Sequence, residues 1–472
     1  MMLGKLTFQI LRLVRLTLAS LPVGMAPHLL LLLLALCVNP AIEVLGSVNG
    51  IWLTFSLLSI FRYLRLIVNL AAFVTLRGHP MAESPTFRPK DVSVVVPTLL
   101  REPEEVASCL RRILACGPAQ IIVVTSHEFV PRVQKMCSTK DLEGVEVIGV
   151  EKFNKRVQMV TALKESVKGS IVCFADDDVF WPNSSFIDTM LACFEDPLVG
   201  AAGPSQRVRR DPQPNLWNFL GICYLERRNF NTGATNRIDG AVSTLSGRTS
   251  FYRASIIQND EFYDYFLNAA NHDDDKNLTR WTFDNDWRIV LQFAEGACIE
   301  TTLHTTRVDF INQCMRWARG HWRGNFRVMA TTTYWYKKHV WSLYAIYIAQ
   351  FQTPAVLIDG ALAGLLYMAM ESSASTAKAW IYVLFACWIF FTKVVKIIPH
   401  FRRHPGDMIF IPAMVMFSYV HGFMNVYALF TMENKTWGSS NVVAEEKSAD
   451  DGASDTAFES DNSDDETLVN FA

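Results

Sequence analysis

Three short clusters carry the residue types that handle charge in transfer chemistry. In "FADDDVFWP", Asp176, Asp177 and Asp178 follow the apolar run Ser170–Phe174. Three carboxylates this close repel one another unless a cation sits among them. A hard divalent metal with oxygen ligands would do so, and it would also bridge a diphosphate. In an extended chain alternate side chains share a side, so Asp176 and Asp178 form an Asp-x-Asp pair suited to a metal. The plainer reading is an acidic turn or helix cap, but the apolar flanks "IVCF" and "VFWP" argue against a solvated loop.

A second triplet, Asp273–Asp275, stands about a hundred residues on in "NHDDDKNLTRW". A carboxylate beside like charges has a raised pKa and suits a general base for a hydroxyl. Acids also favour helix starts, and "KNLTRWTFDNDWRIVLQF" reads as a helix, so both roles can hold together. Asp284 and Asp286 are a lesser, mainly structural pair. The third cluster, "NQCMRWARGHWR", offers Gln313, Arg316 and Trp317. It pairs a guanidinium for phosphate with a flat face for sugar or lipid, although interfacial helices are also rich in Trp and Arg. Weaker candidates are Thr98 and Glu102 for a nucleoside, and Lys155 and Arg156 for a diphosphate.

Short β-rich runs must position these clusters. "DVSVVVP", "QIIVVTS", "VEVIGV" and "SIVCFA" alternate with helix-like stretches at Pro103–Ala115 and Arg156–Ser166. Strands alternating with helices imply a parallel α/β sheet, which places ligands beyond its strand ends. Residues 87–306 thus read as one catalytic domain.

Apolar segments flank it. Half of the 472 residues are hydrophobic. Residues 1–24 read as an amphipathic segment, 25–45 and 51–76 as two membrane helices, and 307–338 as interfacial helices. Residues 341–370 and 379–399 read as two more spans, and 408–432 as an interfacial, re-entrant helix or a fifth span. The first apolar run has no convincing cleavage site for a signal peptide. Basic residues at both flanks put the α/β domain in the cytosol by the positive-inside rule. The sequons at Asn183, Asn277 and Asn434 should therefore carry no glycan. The ten cysteines are singletons, as for reduced thiols. Residues 444–472 hold ten acids against one lysine and too few apolar residues to fold. Without that tail the chain is mildly basic, which suits phosphorylated ligands or anionic lipid.

The order strand–Pro–Thr, Asp-x-Asp, Asp-Asp-x-x-Leu-Thr, Gln-x-x-Arg-Trp, then membrane helices resembles the processive family 2 glycosyltransferases, the hyaluronan, chitin and cellulose synthases. The resemblance runs from about Asp91 to Ser439 and looks most like the fungal type 2, capsule-polysaccharide-synthase-like branch. It implies a GT-A-type α/β nucleotide-sugar transferase domain inserted between transmembrane helices, a UDP-sugar donor, and Mg2+ or Mn2+ on Asp176 and Asp178. Asp275, next to Asp274, would be the base, and Gln313, Arg316 and Trp317 would position diphosphate and acceptor. Ser246, Gly247 and Arg248 would line the acceptor site, and Trp437 in residues 433–443 would belong to a gating loop. The acceptor would be a growing polysaccharide that leaves through the lipid bilayer at the plasma membrane, and no nucleic acid is expected as a partner. One departure is that Thr125 and Ser126 stand where the family carries an aspartate for uridine. A single-addition lipid glycosyltransferase shares several of these motifs, and a non-catalytic membrane scaffold or transporter is the remaining rival.

Overall fold

Val92–Pro97 is buried at every position, and its valines suit the middle of a sheet covered on both faces. It is β1 of nine strands among the described residues. The others are β2 (Gln120–Ser126), β3 (Val145–Val150), β4 (Ile171–Ala175), β5 (Val179–Phe180), β6 (Val199–Val208), β7 (Thr249–Arg253), β8 (Arg288–Gln292) and β9 (Cys298–Thr301). The computed structural model describes residues 48–151, 154–213, 215–269, 273–303, 306–331, 338–371 and 374–434. The expectations for 1–24, 25–45, Trp437 and the acidic tail fall outside these residues.

The spatial order is β3-β2-β1-β4-β7-β6-β9-β5, with β8 also paired to β6. Strands β1 to β4 run parallel, whereas β7 is antiparallel to both β4 and β6. The sheet therefore changes direction beside β4, and Ala175 at the end of β4 pairs with Thr249 at the start of β7. That register sets the acidic triplet beside Ser246–Arg248.

The longer helices are α1 (Val48–Val74), α2 (Pro103–Leu114), α3 (Lys155–Glu165), α4 (Leu216–Asp239), α5 (Asp274–Asp284), α6 (Arg307–Thr331), α7 (Ala355–Ala369), α8 (Ser375–Val394) and α9 (Ile411–Phe430). Pro103 starts α2 at a position that needs no N–H. Asn154 caps α3 through the Arg156 amide, and Asp273 caps α5 through the Lys276 amide.

The expected helix from Lys276 to Phe293 is half right. It stops at Asp284, Asp286 takes φ 62°, and Arg288–Gln292 pairs in parallel with β6. A short apolar run has no periodicity to separate strand from helix, and pairing with β6 decides the matter.

Among the described residues, three helices are long and apolar enough to cross a membrane: Asn49–Val74, Ser375–Arg403 and Pro405–Phe430. The segment 341–370 consists of Val340–Gln352 and Ala355–Ala369, which pass the same length and composition test together and are bent by 83°. Pro354 lies at the break and supplies no amide hydrogen to carry a helix through. Arg62 Nη1 donates to the freed Gln352 carbonyl at 3.0 Å. Gly422 of α9 packs against the same break, where a Cβ would lie 2.5 Å from the Thr353 oxygen. On α1, Leu53, Leu57, Ile60, Leu64 and Ile67 form an exposed apolar face, while Tyr63 and Leu66 are buried.

Ion pairs tie the α/β domain to these segments. Arg210 grips Asp407 with both nitrogens, at 3.0 and 2.7 Å, and His400 reaches the same carboxylate at 2.9 Å. Arg403 pairs with Glu226 of α4.

The core of the α/β domain includes Trp181, 1% exposed, with its ring 4.7 Å from that of Phe186 and its Nε1 donating to Thr249 Oγ1 at 3.2 Å. Trp181→Ala should cost about 3–5 kcal/mol. Thermal unfolding of the detergent-solubilised protein would show it, and a melting temperature within a degree of wild type would contradict the packing described.

Candidate active site

The acidic triplet is a tight turn between β4 and β5, not the extended strand expected. The turn divides the three side chains. Asp176 and Asp178 line a cavity of about 750 Å³. Asp177 turns away to accept from Thr98 Oγ1 at 2.5 Å, and Thr98 also accepts from the Leu100 amide at 2.9 Å. Thr98 therefore holds the turn at the end of β1. Glu102 is exposed at the start of α2 and does not line the cavity.

Opposite the turn stands the start of α5, with Asp273, Asp274 and Asp275 all on the cavity wall. Each carboxylate is held differently. Asp274 accepts from Arg156 Nε at 2.6 Å, and Arg156 also donates to the Ala269 carbonyl at 2.8 Å. Arg156, expected as a diphosphate ligand, is thus a buried anchor for α5. Lys155 takes the other direction and meets Asp176 at 2.5 Å. Burial alone would lower the Lys155 pKa, but Asp176, Asp275 and Asp274 outweigh it and raise it.

Asp275 is pushed up to about 7, by burial first, with Lys155 opposing and Asp273 and Asp176 adding to it. The nearby backbone amide of Gly247 works against this rise by favouring the charged carboxylate. A Cβ on Gly247 would lie 2.1 Å from Asp275 Oδ1, so only glycine lets the loop approach this closely. Thr279, one turn on, accepts from the Leu245 amide at 2.8 Å and donates to the Asp275 carbonyl at 2.6 Å. The segment before β7 and the start of α5 are therefore stitched together at two points. Asp178 is also pushed up to about 7, chiefly by burial and then by Asp176, with Arg248 opposing. Asp176, paired with Lys155, and Asp178, which faces Arg248, are the carboxylates of the turn that could hold a divalent cation.

Helix α6 forms the remaining wall with Gln313, Arg316 and Trp317. The Trp317 ring lies 4.7 Å from that of Tyr224, and the Arg248 guanidinium sits 5.6 Å from its centroid. Burial lowers the Arg316 pKa, and Arg248 and Arg101 lower it further. Gln313 Oε1 is buried without a hydrogen-bond partner among the described residues. Lys276 links the two helices by donating to the Gly320 carbonyl at 2.8 Å.

The cavity thus gathers Lys155, Asp176, Asp178, Ser246, Arg248, Asp274, Asp275, Gln313, Arg316 and Trp317. Three partnerships escaped the sequence: Asp177 with Thr98, Arg156 with Asp274, and Tyr224 under Trp317. Only the acidic triplet hinted at the first. At the end of β2, Thr125 and Ser126 are buried, and neither hydroxyl has a partner among the described residues. Asn277 is 3% exposed inside α5, so its sequon is sterically closed.

Comparison with known proteins places this geometry. The family described as "Glycosyltransferase like family 2" matches residues 89–320. A type 2 glycosyltransferase of Gibberella zeae is 39% identical over 389 residues, 80% of this chain and 73% of its own. Hyaluronan synthase 3 of Mus musculus is 24% identical over 296 residues, 61% of this chain and 50% of its own. The structure of the mannosyltransferase PcManGT from Pyrobaculum calidifontis, solved with GDP-Man and Mn2+, superposes with a TM-score of 0.53 at 16% identity. It covers 83% of this chain and all of that one, and it shows that the fold is of the GT-A type. With its sheet, its acidic turn facing α5 and this relationship, the chain belongs to the family 2 glycosyltransferases.

Proposed function

We propose that the protein is a membrane-embedded, inverting glycosyltransferase that transfers sugar from a UDP-sugar to a growing polysaccharide. The observation that carries this reading is one cavity in which Asp275, held by Gly247, faces Asp176 and Asp178. A general base and a diphosphate site must share a space for a hydroxyl to attack an anomeric carbon as a nucleotide leaves. The mannosyltransferase of the same fold was solved with a nucleotide sugar and Mn2+, and a hyaluronan synthase is among the relatives, which supports the donor class and a polymeric product.

Asp275 takes the proton from the acceptor hydroxyl. Its carboxyl, pushed up to about 7, is a far stronger base than an exposed aspartate. Asp274 keeps α5 in place through Arg156. Arg248 and Arg316 stand on the cavity wall, where two adjacent guanidiniums favour the diphosphate that departs. Trp317 gives the acceptor sugar a flat face. A divalent cation, Mg2+ or Mn2+, held by Asp176 and Asp178 would neutralise charge on the diphosphate. Gln313 offers its unpaired carbonyl oxygen to an acceptor hydroxyl. Thr125 and Ser126 leave two hydroxyls at the end of β2 in place of the expected aspartate, so donor preference is the property most exposed to change.

The membrane reading rests on the apolar helices flanking the domain and on the basic residues beside them. It places the catalytic domain on the cytosolic side, with the polysaccharide passing outward between the helices.

Asp275→Asn should lower UDP release by at least about a thousandfold while leaving UDP binding within about twofold, and retained turnover would refute its role as base. Gly247→Ala should also lower turnover sharply, because its Cβ displaces the same carboxylate. Normal turnover in that variant would show that the contact is not needed. Removing divalent ions with EDTA should abolish activity. In Asp178→Asn, added Mn2+ should restore little of it, and full restoration would exclude Asp178 as a ligand.

A further inference from the structure

Away from the aspartates, the same cavity is walled by cations. Arg62 and Arg65 come from α1, Arg227 and Arg228 from α4, and Lys393 and Lys396 from the helical segment Ser375–Arg403. One carboxylate answers two of them: Asp359 of α7 meets Arg62 at 3.1 Å and Lys393 at 2.9 Å. Among the described residues, no carboxylate lies within 4.0 Å of Arg65, Arg227 or Lys396. Their contacts are neutral. Arg65 donates to the Ala345 carbonyl at 3.1 Å, Arg227 to the Cys223 carbonyl at 3.1 Å, and the Lys396 ammonium sits 5.3 Å from the Phe230 ring centroid. Lys396 is within electrostatic reach of Arg65, Arg227, Arg62 and Lys393.

Such a gathering is costly. Cations on helices apolar enough to cross a membrane lose hydration, and like charges repel more strongly as the dielectric falls. Carbonyl oxygens and a ring ease the loss of hydration without cancelling net charge. An anion completes the site, and the charge balance says which kind. Cations without a carboxylate partner suit a compact, multiply charged group, and guanidinium pairs well with phosphate oxygens. A uronic-acid polymer spreads its single charges along the chain and would meet this cluster with fewer at a time.

The cluster is also continuous with the catalytic end. Arg228 feels both Asp275 and Arg248, so an acceptor lying along the cavity can touch both ends at once. Two of the helices that supply the cations belong to the apolar set, which favours an acceptor that enters from lipid.

We propose that the acceptor is a glycan carried on a lipid phosphate or diphosphate, whose phosphate oxygens sit among Arg65, Arg227 and Lys396 while its sugar reaches Asp275. This rests on the glycosyltransferase reading of the acidic end and names the acceptor for it. The anchor holds the membrane end of a glycan, so the inference applies to a single addition and to a polymer grown on a lipid.

The test uses the full-length protein in phosphatidylcholine nanodiscs, with EDTA present to silence the metal-dependent donor site. Tryptophan fluorescence reports binding, since Trp317 and Trp322 line the cavity. Four probes are titrated: farnesyl diphosphate, farnesol, inorganic diphosphate and a tetrasaccharide containing glucuronate. Saturable binding of farnesyl diphosphate but not farnesol is expected. Arg65→Gln and Lys396→Gln should each weaken it roughly tenfold, and Arg65→Lys and Lys396→Arg should recover most of the loss. Inorganic diphosphate binding as tightly as the lipid would keep the phosphate site but overturn the lipid assignment. Tighter binding of the glucuronate tetrasaccharide, or farnesyl diphosphate binding indifferent to both Gln variants, would overturn the proposal. UDP binding with Mn2+, measured on EDTA-free nanodiscs of the same proteins, should be unchanged in the variants. Its absence in wild type would count against the glycosyltransferase reading itself, separately from the acceptor.

Discussion

Carboxylates from two segments about a hundred residues apart meet in one partly desolvated space, and their repulsion must be contained before any substrate arrives. Each is contained from a different direction. Lys155 meets Asp176, Arg156 meets Asp274, Thr98 turns Asp177 aside, and the Gly247 amide faces Asp275. These contacts draw the ends of β1 and β4, the start of α3, the start of α5 and the loop before β7 to one point. A rearrangement of any of those elements would leave a buried carboxylate unanswered. The reversal of strand direction beside β4 belongs to the same solution, because it delivers Gly247 to α5 by way of the Ala175–Thr249 register.

Helix α6 carries that order into the apolar helices. One side of it gives Gln313, Arg316 and Trp317 to the cavity. Residues further along it, which also border the cavity, are fastened to α9 and to the turn at its C-terminal end: Trp322 Nε1 donates to the Asn425 carbonyl at 3.0 Å, Arg319 to Thr431 Oγ1 at 3.1 Å, and Arg323 to the Met432 carbonyl. Residues that read as a generic interfacial mixture of Trp and Arg therefore divide into two sets with different duties. Position along one helix separates side chains left open to the cavity from those fastened to a neighbouring helix.

Much of this could be read from the residues. The four parallel strands announced themselves because β-branched runs between helix-like stretches have few other solutions. The acidic triplets were visible because carboxylates so crowded need an explanation. What escaped was tertiary. Nothing in "NKRVQ" tells Lys155 from Arg156, yet one faces the cavity and the other is buried against α5. "WRIVLQF" became a strand only because β6 offered it an edge. The break after Gln352 carried a signal, Pro354, but a long apolar stretch invites reading straight through a proline. Its resolution needs Arg62 and Gly422, both far away in sequence.

Lys276 reaches across to the carbonyl of Gly320, and a Cβ at Gly324 would lie 2.5 Å from its ammonium nitrogen. The room for that lysine is thus cut from the neighbouring helix by a missing side chain. Positions 276 and 324 are sterically coupled: a side chain at 324 would take the space that the lysine ammonium now occupies, and the lysine's bond to Gly320 depends on that space staying open.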